Sequence, residues 1–319
     1  MRALITGIAG QTGSYLAEAL LARSWEVHGT VRPQDLTEPD LLLGASLHAL
    51  DLTDFAGVEA VVSSVEPEVV INLAAVSSVA RSWEDPVETA MLNGTAFAAL
   101  LSAVERSADK GRQPHVIQAS SAEMFGSPAR SPQDESTLIA PTNPYGAAKA
   151  FAHHLVGAYR ARGLATSSII LYNHESPRRP EAFVTRKITA GAARIARGEQ
   201  KRLALGNLEA RRDWGWAPDY AEAIAQVAEA RAVDDFVVAT GESHSVREFA
   251  YAALRRVGVE RPDELIDVDE RFLRPTDAVE LVGDSSRIRA RLGWQPTRTF
   301  DEIVGAMVDA DILQAPKIS

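Results

Sequence analysis

The chain has 319 residues, 46% of them hydrophobic, and a formal net charge of −10. That is enough apolar material for one large α/β unit, or for a large domain carrying a smaller one, and the acidic balance argues against nonspecific binding to nucleic acid or to an anionic membrane. There is no cysteine, which excludes disulfides, thiolate zinc sites, iron–sulfur clusters and cysteine nucleophiles together.

"MRALITG" leads directly into a strand and a glycine turn, and no apolar run of the sequence reaches the roughly 18 residues of a membrane span, so a soluble, cytoplasmic protein is expected. From there short β-rich runs alternate with longer helical patterns. They are "RALIT" (2–6), then a helix over 12–24; "EVHGT" (26–30); "SLHAL" (46–50), then 53–65; "EVVINL" (68–73), then 86–106; "HVIQA" (115–119), then 145–162; and "TSSIIL" (166–171). This order predicts an α/β fold with a doubly wound parallel sheet of the Rossmann type over residues 1–171. Beyond Leu171 come an arginine-rich loop, a helix over 183–197, a short strand near Leu203, a helix after Pro218 and the strand "DDFVVAT" (234–240). Residues 172–319 are expected to form mainly a smaller substrate-binding domain, with some segments returning to the first. Sites in open parallel sheets lie at the carboxyl ends of the strands, so the two parts should share one cleft.

The first strand is followed by "TGIAGQTG", with Gly7, Gly10 and Gly13 before a helix. Glycines there permit a tight turn and a close approach of pyrophosphate to backbone N–H groups at a helix start, so a dinucleotide is expected. NAD sites usually place an acid about 20 residues on, near the end of the second strand. Here Arg32 stands nineteen residues beyond Gly13, with no acid before Asp35; this favours the 2′-phosphate of NADP, with NAD held by Asp35 as the alternative. Asp51, just after the third strand, is placed to accept from an adenine amino group or to cap the next helix, a task that also suits Thr53.

In "YGAAK" Tyr145 and Lys149 are four residues apart and share one helix face. A phenol acts as a base at neutral pH only if its pKa falls by roughly 3 pH units, about 4 kcal/mol; a neighbouring ammonium and an oxidised nicotinamide are the means. "VIQASSAEMFG" sets Ser120, Ser121 and Glu123 after a strand, at the cleft edge. A serine there can orient a substrate alcohol beside Tyr145, and Met124 and Phe125 would raise the proton affinity of Glu123 for proton transfer. The seven histidines are not at ligand spacing, and no metal is expected. Basic residues bunch at Arg178, Arg179, Arg186, Lys187, Arg211 and Arg212; an anion pocket and a set of surface ion pairs explain this equally well.

These motifs together resemble the extended short-chain dehydrogenase/reductase superfamily. "GQTGSYLAEALL", "INLAAVSSV", "NPYGAAK", "NHESPRR", "FVTRKIT", "LGNLEARRDWG", "ATGESHSVREF" and "RPTDAVELVGD" narrow the resemblance to the GDP-mannose 4,6-dehydratase family. The resemblance implies a lyase of deoxysugar biosynthesis, using NADP (or NAD) without net redox on a GDP-linked nucleotide sugar. It implies catalytic roles for Ser121, Glu123, Tyr145 and Lys149. Tyr145 with Lys149 takes the proton of the 4-hydroxyl, and Glu123 removes the proton on carbon 5. The cofactor would be held by Gly7, Gly10, Gln11, Thr12, Gly13, Arg32, Asp51, Leu52, Leu73, Ala74, Ala75, Tyr145 and Lys149. The sugar nucleotide would meet Ser77, Ser121, Glu123, Tyr145 and Val184, and its diphosphate Asn173, Lys187, Arg212 and Arg274, while Arg178 and Arg179 brace the loop. Departures from the family pattern cluster near the sugar: Ser121 for threonine, Trp216 for histidine, Pro180 for glycine, and Val76 and Ser78 beside Ser77. The loop after the second strand is short, with Pro33 for a second arginine, which argues for a homodimer over a tetramer. The rival readings are an epimerase, a decarboxylase or a dehydratase of another nucleotide sugar, such as a GDP-heptose, and a non-catalytic cofactor-binding regulator.

Overall fold

The computed structural model describes residues 1–35, 44–108, 113–272 and 280–313. Its strands are β1 (Arg2–Thr6), β2 (Glu26–Val31), β3 (Ser46–Ala49), β4 (Val69–Asn72), β5 (His115–Ser121), β6 (Thr166–Leu171), β7 (Asn173–Glu175), β8 (Leu203–Leu205), β9 (Arg211–Arg212), β10 (Trp214–Trp216), β11 (Asp235–Val238), β12 (His244–Ser245), β13 (Ile266–Val268) and β14 (Glu280–Leu281). The helices are α1 (Gln11–Ala22), α2 (Phe55–Val65), α3 (Val79–Glu84), α4 (Pro86–Ala90), α5 (Ala96–Ala108), α6 (Pro144–Ala161), α7 (Val184–Ala196), α8 (Ala217–Ala230), α9 (Val246–Arg256), α10 (Ser286–Leu292) and α11 (Phe300–Leu313).

Seven strands form one parallel sheet in the order β11-β6-β5-β4-β1-β2-β3. Strand β11 comes from the second half of the chain and completes the edge beside β6. Period-two alternation divides the sheet between two cores. Ala3 and Ile5 of β1, Ile71 and Ile117 pack with Leu16 and Leu20 of α1 and with Ile224 and Val227 of α8. Leu4, Val70 and Val116 face the other way, toward Val58 and Val62 of α2 and Phe97 and Leu101 of α5. Every residue of β5 is buried, as expected of a central strand covered on both faces. A third core, built by α7, α9 and α11 around Ile188, Phe249, Leu254 and Met307, belongs to the second half alone.

Three expectations need correction. The helix expected over 86–106 is α4, a π-helical turn (Met91–Thr95) and α5, preceded by a helix, α3, that was not expected. The run Pro86–Ser107 spans 22 residues and contains an 18-residue window of mean hydropathy 1.3, long and apolar enough to cross a membrane, against the expectation that no run of the sequence is. Half of that window is buried inside the fold, against α2 and α6, as in a core helix. The cap of α2 is neither Asp51 nor Thr53 but Asp54, which accepts from Gly57 N at 3.0 Å.

Candidate active site

Strand β5 runs two residues further than its apolar pattern. Ser120 points into the fold, 2% exposed, and pairs with Ser168 Oγ at 2.6 Å; it is not a cleft residue. Ser121 ends the strand and caps the 3-10 turn Ala122–Phe125, its Oγ accepting from Glu123 N at 3.3 Å. Met124 and Phe125 are buried in the core beneath this turn. The group that meets the Glu123 carboxylate is instead the Asn143 amide, which donates from Nδ2 to Oε2 at 2.9 Å.

Asn143 is also the N-cap of α6, its Oδ1 accepting from Gly146 N at 2.8 Å, with Pro144 in the first helical position. "N-P" ahead of a periodic helix is a start signal that the sequence carries. Gly146 has a separate reason to lack a side chain: a Cβ there would lie 2.4 Å from the backbone oxygen of Glu123. The start of α6 therefore touches the Glu123 turn. One helical turn later Lys149, 3% exposed, donates from Nζ to Ala119 O at 2.9 Å, and its Nζ lies 5.9 Å from the Tyr145 ring centre. The structure thus brings Ser121, Glu123, Tyr145 and Lys149 together.

Burial pushes the Tyr145 phenol up to about 12. A hydrogen bond with Ser121 and the charge of Arg179 pull it down, while the charge of Glu123 pushes it further up. In the protein alone desolvation outweighs the pull of Ser121 and Arg179; the fall expected from sequence depends on an oxidised nicotinamide alongside. Lys149 is lowered by burial to about 8.

The glycine turn after β1 fits a pyrophosphate. Gly7 has φ +69°, and a Cβ on it would stand 2.9 Å from the backbone of Ala74; one on Gly13 would stand 2.4 Å from Gly7 O. Gly10 precedes α1 without a side-chain cap, so the first-turn N–H groups of Gln11, Thr12 and Gly13 point out of the helix start with no intrahelical acceptor. The side chains of Gln11 and Thr12 are used elsewhere. Gln11 donates to His174 O at 2.9 Å and accepts from Ser176 Oγ at 2.7 Å; Thr12 Oγ1 lies 2.7 Å from His174 Nε2. His174 is lowered to about 4 by burial and stays neutral, so Nδ1 donates to Tyr172 O at 2.8 Å and Nε2 accepts from Thr12.

The remaining cofactor candidates follow the strand ends. Leu52 is buried, and Leu73, Ala74 and Ala75 are half-buried beyond β4. Arg32 pairs with Asp35 at 2.7 Å. Asp51 accepts from Thr53 N and Thr53 Oγ1 at 2.9 and 2.7 Å. Ser77 is exposed; beside it Val76 is bracketed by Asn93 of the π-helical turn, which bonds both its N and its O.

On the opposite wall Asn173 and Val184 are half-buried in β7 and at the start of α7. Lys187 lines an open cavity of about 610 Å³ with Arg194, Arg202, Arg271 and Phe272, its Nζ 3.2 Å from the Phe272 ring centre. Arg212 is buried in β9 and donates to Arg211 O at 2.7 Å. Arg274 lies outside the described residues. The basic cluster does not form a single pocket. Arg178 bonds Ser14 and Glu18 of α1, Arg179 pairs with Glu175, Arg186 with Asp311, and Arg211 bonds Ser243 O. Asn143, Gly146, His174 and Ser176 were missed from sequence; of these only Asn143 carried a readable local signal.

Lys149 gives a stability test. Between pH 8 and its ordinary 10.5 the folded chain releases this proton before the unfolded chain does. Below pH 8 the buried ammonium costs about 3 kcal/mol, a cost that disappears as pH rises to 10.5. Lys149→Met without ligands should therefore melt higher than wild type at pH 7, with the advantage gone near pH 10.5; a pH-independent difference would contradict the burial argument.

A family model described as GDP-mannose 4,6 dehydratase matches residues 4–307. The chain is 44% identical to GDP-mannose 4,6 dehydratase 1 of Arabidopsis thaliana, over 97% of this chain and 89% of that protein. It is 39% identical to the Homo sapiens GDP-mannose 4,6 dehydratase, over 97% and 91%. Among solved structures, a Thermus thermophilus UDP-glucose 4-epimerase in complex with NAD superposes with a TM-score of 0.85 at 28% identity, over 99% of this chain and 100% of that one. By the family model over nearly its whole length and by these relatives, this chain belongs to the GDP-mannose 4,6-dehydratase family.

Proposed function

We propose that this protein removes water from GDP-mannose to give GDP-4-keto-6-deoxymannose, with no net redox change. The observation that carries this is the contact between two pieces of machinery. The Tyr145–Lys149 helix, suited to oxidising an alcohol, starts against a turn bearing a carboxylate, Glu123, held by Asn143. Simple alcohol oxidation needs no such carboxylate; elimination does.

A bound nicotinamide would supply a hydride acceptor for carbon 4 and, once reduced, a hydride donor for carbon 6. The protein's residues move the protons. Ser121 orients the 4-hydroxyl by the same bonding that reaches the Tyr145 phenol. Tyr145 takes the hydroxyl proton as phenolate, a form that burial opposes in the protein alone and that added positive charge in the closed site favours. The 4-ketone acidifies the proton on carbon 5; Glu123 removes it and returns a proton to the departing 6-hydroxyl, so that water leaves. As hydride reaches carbon 6, carbon 5 takes a proton that has exchanged with solvent, and the proton held by Tyr145 is released, which restores the starting state. Lys187 and Arg212 supply charge-assisted bonds for the diphosphate.

The cofactor proposed is NADP. Asp35 is already engaged by Arg32, and no acid lies nearer the end of β2. The assembly proposed is a homodimer. Trp83, Val87 and Met91 recur at four-residue spacing, 45, 71 and 37% exposed, beside α6 with Phe151 49% exposed, an apolar face suited to a second copy; a monomer mass in sedimentation equilibrium would contradict it.

Tyr145→Phe should slow nicotinamide reduction by GDP-mannose at least about 10³-fold, whereas Glu123→Gln should still reduce it and lose water about 10²–10⁴-fold more slowly. Stopped-flow absorbance with mass spectrometry separates the steps, and normal turnover by Glu123→Gln would refute the assigned role. Arg32→Ala should weaken NADP by about 10-fold and NAD by less than about 2-fold in calorimetric titrations; equal losses would remove the 2′-phosphate assignment.

A further inference from the structure

Asn143 has two bonds that ask for different chemistry. Its Oδ1 caps α6 through Gly146 N at 2.8 Å, and its Nδ2 donates to Glu123 Oε2 at 2.9 Å. The residue is 6% exposed, so neither bond competes with bulk water. A helix N-cap requires only an acceptor, and serine, aspartate and asparagine serve about equally. Of these three, serine is too short to span both partners and aspartate would set a carboxylate against Glu123. The cap alone does not select asparagine; the donor to Glu123 does.

The backbone beneath is fixed independently. Gly146 lies so close to the Glu123 turn that a Cβ would be 2.4 Å from Glu123 O, and Gly126, which closes the turn at φ +64°, leaves no room for one against Ala140 O. With the main chain set in this way, the remaining freedom is rotation of the Glu123 side chain. We propose that Asn143 is a positioning residue for the elimination step. It holds Glu123 Oε2 so that the carboxylate presents its other oxygen to the hydrogen on carbon 5, and it ties that orientation to the helix bearing Tyr145 and Lys149. This deepens the dehydratase reading and rests on it.

Asn143→Ser and Asn143→Asp both keep a cap and lose the donor. Each should melt within a few degrees of wild type and reduce nicotinamide on mixing with GDP-mannose within about 3-fold of the wild-type rate, while water loss and deuterium entry at carbon 5 from D2O fall about 10- to 100-fold, more for Asp. Reduced cofactor should then accumulate. Equal loss of both steps, or loss of neither, in a variant that melts normally would overturn the proposal. A readout without turnover keeps it separate from the substrate assignment: the Asn143 side-chain amide protons should shift upfield by NMR in Glu123→Ala. Unmoved resonances would overturn the positioning role even if wild type dehydrates GDP-mannose. Should wild type release no water, the dehydratase reading fails, and so does the elimination role, whatever the resonances show.

Discussion

The close approach of one helix to one turn is the constraint on which the site depends. A glycine at position 146 lets the start of α6 rest on the backbone of Glu123, at the carboxyl end of a fully buried central strand. Because β5 is locked in both cores, its last residue and the following turn have little freedom. Because α6 is locked onto that turn, Tyr145 and Lys149 inherit the same position. Four side chains from two segments more than twenty residues apart thereby meet without any one of them making the fold.

Burial has a cost that the chemistry uses. The same packing that orders Tyr145 and Lys149 pushes the phenol up to about 12 and the ammonium down to about 8. Both shifts disfavour charge. On the proposed mechanism, the phenolate that proton removal needs is unfavourable in the protein alone and requires added positive charge beside it. The start of α1 and the segment after β6 are also joined. His174 and Ser176 bond the first residues of α1, Arg178 holds Ser14 and Glu18, and its guanidinium stacks 3.9 Å from the Tyr15 ring centre. Asp213, buried in the "RDWG" stretch, accepts from Thr240, Gly241 and Gly283 and so fastens β9 and β10 to the end of β11.

The parts legible in the sequence were those with local physics. Strands β1 and β6 coincide with "RALIT" and "TSSIIL", and the alternation of runs and helices gave the parallel sheet. The glycine turn and the spacing of Tyr145 from Lys149 were readable because backbone sterics and helix pitch act over a few residues. What was not readable depends on distant partners. The cap at Asp54 competed with two equally good local choices. Glu123 was expected to be tuned by Met124 and Phe125, yet the 3-10 turn buries both in the core and a residue twenty positions away reaches the carboxylate. Three of the six clustered basic residues, Arg178, Arg186 and Arg211, found carboxylates or carbonyls from distant elements, which their own sequence neighbourhood could not reveal.

Division of labour between the Tyr145 helix and the Glu123 turn makes a sharp statement about atoms: the hydrogen leaving carbon 4 is the one arriving at carbon 6, while the hydrogen at carbon 5 comes from solvent. GDP-mannose deuterated at carbon 4 and turned over by the wild-type protein in ordinary water should give a product with deuterium in its new methyl group and protium at carbon 5, read directly by NMR. Deuterium lost to water, or retained at carbon 4, would contradict the oxidation–elimination–reduction sequence at this site.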